Sequence, residues 1–287
     1  MKIVTSLLKK TFPFFKSQLE FDSVTKLNIK SLYHFTYFDD NKYYECLLKG
    51  SLYFSAKSQF NDPFDSEIPT KHSLCSEKEL DKYLENLLIK KGIDGGDKSN
   101  KLQIAKERLK TNPQEIQNFI DNYIETKVGI LSLTENYENL LLWAHYAKKH
   151  TGFCIEIDAQ LLNKVIIAEF IKNKEQAFIF KVKYQNKFPI INPCKHSFEQ
   201  RTQLQFLIKS KDWKYEQEWR IILLNGSKQY RELPSNVIKN IYFGLKTCND
   251  NIQKSKEMLR KYNPYIGLYK AIKKKGAFGL EFQKINF

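Results

Sequence analysis

Short apolar and aromatic runs alternate along this chain with polar segments that have helical periodicity. The runs predict β-strands, because β-branched and aromatic residues favour extended backbone. The predicted strands cover residues 32–36, 52–55, 129–133, 152–157, 178–184, 218–224, 238–243, 266–271 and 280–285. Apolar residues three and four apart predict helices over residues 39–48, 138–147, 197–209 and 250–262.

A longer helical stretch interrupts the strands. Leu80, Leu84 and Leu87 recur on one helix side, and we predict an all-helical insertion over residues 71–127. Elsewhere strands and helices do not alternate as regular βαβ units, so the pattern indicates a mixed α+β fold rather than a doubly wound sheet. We expect a single α+β domain over residues 1–287, with its core at about residues 30–287.

Composition narrows the class of protein. Hydrophobic residues make up 42% and aromatic residues 14% of the 287 residues, which excludes a mainly disordered chain. The N-terminus lacks a small-residue cleavage site and no apolar run reaches the ~18 residues of a membrane span. We therefore expect a cytoplasmic protein without a signal peptide or membrane segment. The five cysteines are widely spaced without a CxxC pair, which predicts reduced thiols.

The net charge of 47 − 32 = +15 favours polyanionic partners. The lysines are scattered along the chain and no recognisable nucleic-acid module accompanies them, so a solvated basic surface explains the charge equally well. Phosphate-binding GxxxxGK[ST], dinucleotide-binding GxGxxG, zinc-binding HExxH and nucleophile-elbow GxSxG motifs are all missing. We predict neither a bound metal nor a serine nucleophile.

Three short stretches carry polar groups that a plain core does not require. His34 lies within LYHFT, where alternation places it on the face of Leu32 and opposite Tyr33. The second stretch is YFS, at residues 53–55. In the third, Glu216 and Glu218 share a face if the backbone there is extended. Each stretch also has a purely structural explanation. His34 can be a core histidine bonded to backbone, residues 53–55 can be part of a buried strand, and the two glutamates can be surface charges paired with basic residues.

Four of the chain's motifs resemble an uncharacterised bacterial domain-of-unknown-function family. These are LYHFT, FNDPFD, WAHYAKKHTG and EQEWR, in that order over residues 32–285. The family is typified by L-Y-H-[YF]-T, F-N-D-P-F-[DE], W-[SA]-H-Y-A-x-x-H-x-G and E-x-E-W-R, and the resemblance by itself implies little about activity.

The chain also resembles, more distantly, the ADP-ribosyltransferase superfamily, and this resemblance implies a function. Those enzymes have H-x-[ST] on an early strand, Ser or Tyr on the next strand, and a catalytic Glu, often within [QE]-x-E, that introduces a late strand. His34-Phe35-Thr36, Tyr53 with Ser55, and Glu216-Gln217-Glu218 follow that order. The resemblance implies a split β-sheet core and NAD as a substrate.

Cleavage of the nicotinamide–ribose bond builds positive charge on the sugar, and a fixed carboxylate stabilises that charge. By resemblance, Glu218 takes this role and Glu216 orients the incoming nucleophile. His34 then holds a ribose hydroxyl through a donor nitrogen.

The remaining site residues follow from the same resemblance. Thr36 fixes the histidine or contacts the nicotinamide amide, Tyr53 stacks on the nicotinamide ring, and Ser55 positions Glu218. Asn61 is a further candidate for the cleft, although the NDP sequence around it is also explained by an Asx turn.

The sequence leaves several functions open. The first is an NAD-dependent ADP-ribosyltransferase or NAD glycohydrolase, as in a toxin or phage-defence effector, with an RNA, DNA or protein acceptor and a neutralising partner protein. The second is a metal-independent or Mg²⁺-dependent nuclease that uses His34, His145 and the two glutamates. The third is a non-catalytic, nucleic-acid-binding module. The oligomeric state is not predicted.

Overall fold

The computed structural model describes residues 27–39, 43–89, 96–166 and 177–287. These residues form a mixed α+β fold, as the sequence predicts, and eight of the strands belong to one large sheet. Twelve strands are present in the described part of the chain: β1 Ser31–Thr36, β2 Ser51–Phe54, β3 Val128–Thr134, β4 Phe153–Asp158, β5 Ala177–Lys181, β6 Lys183–Gln185, β7 Ile208–Ser210, β8 Glu218–Leu224, β9 Gln229–Glu232, β10 Ile238–Phe243, β11 Gly267–Lys273 and β12 Leu280–Lys284.

The α-helices lie between these strands. Their bounds are α1 Tyr43–Leu48, α2 Glu77–Ile89, α3 Gly96–Thr111, α4 Pro113–Lys127, α5 Leu140–Tyr146, α6 Ala159–Val165, α7 Phe198–Phe206 and α8 Asn249–Tyr262. Two predicted segments differ. The strand predicted over 178–184 divides at Val182 into β5 and β6, which join different sheets, and the helix predicted over 197–209 ends at Phe206 before β7.

Eight strands form the main sheet in the order β12-β11-β10-β4-β1-β3-β8-β5. Strands β1 and β4 are paired along six residues, whereas the register between β1 and β3 consists of one pair, Tyr33 with Thr134. We call this sparsely paired line between β1 and β3 the seam. Strand β2 does not join the main sheet: it pairs with β9, and Ser55 forms a single bridge to Ile130 of β3.

The two faces of the main sheet bury different clusters. One face packs an aliphatic core that includes Leu32, Ile155 and Trp219. The other face carries an aromatic cluster around Trp143, against which Tyr33 packs. Because side chains alternate along a strand, the face of each β1 and β8 residue follows from these assignments.

Backbone contacts group the described residues into two compact units, where the sequence pattern predicts a single domain. The smaller unit includes Ala56–Val128 and Lys183–Lys211. Its helices α2, α3 and α4 pack around a leucine-rich cluster of their own. The larger unit contains the other described residues, including all of the main sheet except Val128, the first residue of β3.

A disulfide joins Cys75 and Cys194 within the smaller unit. The expectation of reduced thiols is wrong for this pair, because spacing along the chain cannot reveal a contact between residues 119 apart. Cys46, Cys154 and Cys248 are free thiols.

Gly152, at the start of β4, allows a close backbone approach to the end of β1. A Cβ atom at this position would lie 2.1 Å from the carbonyl oxygen of Thr36 and 2.8 Å from the Cα of Tyr37. Both atoms belong to backbone, so relief of the overlap requires β1 to move.

We therefore expect Gly152→Ala to lower the free energy of unfolding by about 2–3 kcal/mol, in the range of overpacked cores. Urea unfolding followed by tryptophan fluorescence measures the loss. Gly279→Ala is the matched control, since its Cβ would meet the Lys274 side chain at an ordinary 3.5 Å. Equal stability of both variants would mean that β1 tolerates the displacement.

Candidate active site

The imidazole of His34 occupies the seam. Its Nδ1 lies 3.0 Å from the carbonyl oxygen of Ser132 on β3, and its Nε2 lies 3.2 Å from the hydroxyl of Tyr43 on α1. A carbonyl oxygen only accepts hydrogen bonds, so we assign the proton to Nδ1 and treat Nε2 as the acceptor of the tyrosine hydroxyl. The histidine thus bridges the two strands where their backbone pairing is sparse.

Burial keeps this imidazole neutral. Desolvation lowers the pKa of His34 below its ordinary value, and the hydrogen bond to Ser132 opposes that shift. A neutral ring with Nδ1 engaged by a carbonyl presents Nε2 as an acceptor. The donor nitrogen that the resemblance implies is therefore already used within the fold.

Three tyrosines on α1, β2 and β9 form a cluster that contacts His34 through Tyr43. The ring centroids of Tyr43 and Tyr53 are 5.9 Å apart, those of Tyr43 and Tyr230 6.1 Å, and those of Tyr53 and Tyr230 5.0 Å. Cross-strand pairing of Tyr53 with Tyr230 brings two of these rings together. Tyr230 is 46% exposed, so this tyrosine cluster reaches solvent and offers ring faces for stacking.

The structure places the other cofactor-binding candidates as follows. Thr36 shares the face of His34 on β1 and is buried. Ser55 follows β2 and is tied to β3 through backbone hydrogen bonds with Ile130. Asn61 is exposed and belongs to the smaller unit. The side chain of its neighbour Asp62 accepts a hydrogen bond from the backbone amide of Phe64, as in an Asx turn.

Glu216 ends a 3₁₀ turn next to the seam. The hydroxyl of Thr134, the β3 residue that faces Tyr33, donates to the backbone carbonyl of Glu216 at 2.5 Å. The Tyr146 hydroxyl of α5 donates to the Glu216 carboxylate, also at 2.5 Å. Glu216 is only 4% exposed, so these contacts hold a buried carboxylate near the line between β1 and β3.

Glu218 begins β8 and forms a bidentate ion pair with Arg220. The guanidinium Nε and a terminal nitrogen lie 2.7 and 3.0 Å from the two carboxylate oxygens. Glu218 is 3% exposed and Arg220 1%. The interpretation of this stretch as an exposed ladder of charges is therefore wrong: these charges are in the interior.

The two glutamates do not share an extended strand, because Gln217 between them has a left-handed backbone with φ of 47°. Trp219 packs into the aliphatic core on the face of Leu32 and His34, so alternation directs Glu218 to the opposite face of the sheet. His34 and Tyr53 both contact Tyr43. Neither glutamate lies on the face of His34. Glu216 is bound by Thr134, which pairs with Tyr33, and by Tyr146 of α5, the helix that packs on the Tyr33 face.

Four residues at the seam were not candidates from the sequence: Tyr43, Ser132, Thr134 and Tyr146. Trp143 of α5 packs in the aromatic cluster on the sheet, and the Tyr146 hydroxyl of the same helix binds Glu216. Strand β1 lies between β4 and β3, and the residue of β3 that contacts the His34 ring is Ser132, through its backbone carbonyl. Strand order, which no local pattern reveals, decided this.

Comparison with known proteins adds one family. Residues 142–221 match a family described as Protein of unknown function (DUF2971). The match supports an uncharacterised domain that includes most of α5, β4 and the Glu216–Glu218 stretch. His34 and Tyr53 lie outside the matched residues. No curated protein and no solved structure matches the chain.

Two further properties concern the described residues only. In those ranges, no helix combines the length and apolar character needed to cross a bilayer. The same ranges contain no group of three or more His, Cys, Asp or Glu side chains arranged to hold a metal ion.

Proposed function

We propose that this protein cleaves the nicotinamide–ribose bond of NAD and transfers ADP-ribose to water or to an acceptor on RNA, DNA or protein. The feature that carries the proposal is the seam, where a histidine stands between two sparsely paired central strands beside a partly exposed tyrosine cluster. A divided central sheet with a histidine on its opening strand is what the resemblance to ADP-ribosyltransferases implies.

The tyrosine cluster suits the planar parts of NAD. Nicotinamide and adenine rings stack on aromatic side chains, and the half-buried Tyr53 and exposed Tyr230 offer ring faces at the edge of the seam. The Tyr43 hydroxyl already donates to His34. A ribose hydroxyl can replace it as the donor to Nε2.

The reaction requires a carboxylate near the ribose. The bond between C1′ and the nicotinamide nitrogen breaks, nicotinamide leaves with the electron pair, and the nucleophile attacks C1′ and releases its proton. We assign the stabilisation of the positively charged ribose to Glu216. Because Thr134 and Tyr146 hold Glu216 on the face opposite His34, this assignment requires the ribose to span the seam. A tyrosine hydroxyl is among the contacts of Glu216, and such a neutral donor exchanges with a ribose hydroxyl more readily than the charged Arg220 that holds both oxygens of Glu218.

Release of free nicotinamide from NAD tests the proposal. We expect release by the wild type, and a decrease in kcat of ~100-fold or more for Glu216→Gln, as for removal of one charge-stabilising group. Glu257→Gln, an exposed change of the same chemistry on α8, is the control. Near-ultraviolet circular dichroism confirms that each variant is folded.

Assays with RNA, DNA and a lysate cover the three acceptor classes. No nicotinamide release with any of them, together with no thermal shift on addition of NAD, would overturn the proposal. Degradation of RNA or DNA without NAD would instead favour the nuclease, for which the charge of +15 provides the attraction to nucleic acid.

A further inference from the structure

The smaller unit contains a cavity of its own, of about 50 Å³. Most of its wall is apolar and includes Ile120, Ile191 and Phe198. Arg201 of α7 and His72, which begins a 3₁₀ turn, add polar groups to this wall. None of the residues lining the cavity is an aspartate or glutamate.

Two buried nitrogen atoms of these side chains have no hydrogen-bond partner. They are Nε of Arg201 and Nε2 of His72. A terminal nitrogen of Arg201 contacts the Tyr83 hydroxyl at a long 3.4 Å, and the guanidinium carbon lies 5.9 Å from the centroid of that ring. A neutral phenol does not balance the charge of a guanidinium, and a buried donor without a partner costs free energy.

We propose that this cavity binds a small monocarboxylate with an apolar body. The carboxylate would accept hydrogen bonds from Nε of Arg201 and from His72, and the hydrocarbon would contact the isoleucines and Phe198. The proposal concerns a second site and does not depend on the function proposed for the seam.

The size and composition of the cavity select this class of ligand. At ~10–15 Å³ of accessible volume for each water molecule, the cavity holds roughly four waters. At ~30 Å³ of liquid volume each, these occupy about 120 Å³, which is roughly the space of a ligand with six heavy atoms. A phosphate dianion would lose more hydration against apolar walls than these donors replace. The His72 pKa is lowered to about 4 by burial and by Arg201, so at neutral pH the cavity offers one positive charge to one carboxylate.

The cavity walls are held in place before any ligand binds. Thr70 pairs with Ile191 across the cavity lining, and the Cys75–Cys194 disulfide joins the segments that carry His72 and Pro193. A preformed site avoids the entropic cost of ordering on binding.

Isothermal titration calorimetry of the full-length protein with isobutyrate tests this site. Isobutyramide, a neutral molecule of the same shape, is the control ligand. We expect the amide to bind at least ~10-fold more weakly than the acid, because it loses a charge-assisted pair. Arg201→Gln should weaken isobutyrate binding by a similar factor. Arg260→Gln, an exposed change in the larger unit, should leave it unchanged.

The comparison of acid with amide uses the wild type, so it stands even if Arg201→Gln is unstable. Equal binding of both molecules would overturn the proposal. So would equal isobutyrate affinity of Arg201→Gln and Arg260→Gln, or no binding up to roughly 10 mM, where weak affinities still register.

Discussion

Glu218→Gln should destabilise the protein by about 3–5 kcal/mol, the usual cost when one partner of a buried ion pair is removed. The change takes a negative charge from a guanidinium that is 1% exposed and held through two hydrogen bonds. Urea unfolding of the wild type and the variant measures the difference. Glu257→Gln, on the surface of α8, should change stability little.

A double variant distinguishes destabilisation by an unpaired buried charge from a general effect of substitutions in β8. Replacing both partners, as in Glu218→Leu with Arg220→Met, should recover most of the loss, because neither charge then remains to be desolvated. If Glu218→Gln is as stable as the wild type, the ion pair does not support the fold.

Reduction of the Cys75–Cys194 disulfide should lower the free energy of unfolding by about 5 kcal/mol, the loop-closure value for a separation of this size. The two cysteines are 119 residues apart, so the cross-link removes many conformations from the unfolded chain. For a chain of this length the loss corresponds to a decrease in Tm of roughly 10 °C.

Calorimetry with and without dithiothreitol measures this decrease. Cys75→Ser should lower Tm by a similar amount and make it insensitive to the reductant. Cys248→Ser removes an exposed free thiol and is the matched control. An unchanged Tm on reduction would mean that the cross-link does not stabilise the native protein.

Local sequence was enough to predict β1 and β8 because their signals lie within a few residues. LYHFT and EWRIILL are apolar runs, and both form strands. Alternation also correctly assigned His34 to the face of Leu32 and Tyr33 to the opposite face. Alternation was insufficient for Glu216 and Glu218, which share a face only if the backbone between them is extended. Gln217 has a left-handed backbone instead, so the two side chains do not alternate as in a strand.

The candidate site was less predictable, since its residues meet across long chain separations. His34 contacts Ser132, 98 residues away, and Tyr146 contacts Glu216, 70 residues away. Strand β1 lies between β4 and β3 in the main sheet, and β2 belongs to a separate two-stranded sheet. Tyr53 nevertheless lies near His34, because Tyr43 of α1 lies between them.

The sequence by itself determined the mixed α+β class, the positions of most strands and helices, and which β1 side chains share a face. These properties depend on hydrophobic period and backbone propensity, which act over a few residues. Only the tertiary structure decided that Glu218 pairs with Arg220, that Cys75 bonds Cys194, and that His34 stands in a seam between strands. Such pairings are set by the packing of distant segments, and a one-dimensional pattern carries no information on that packing.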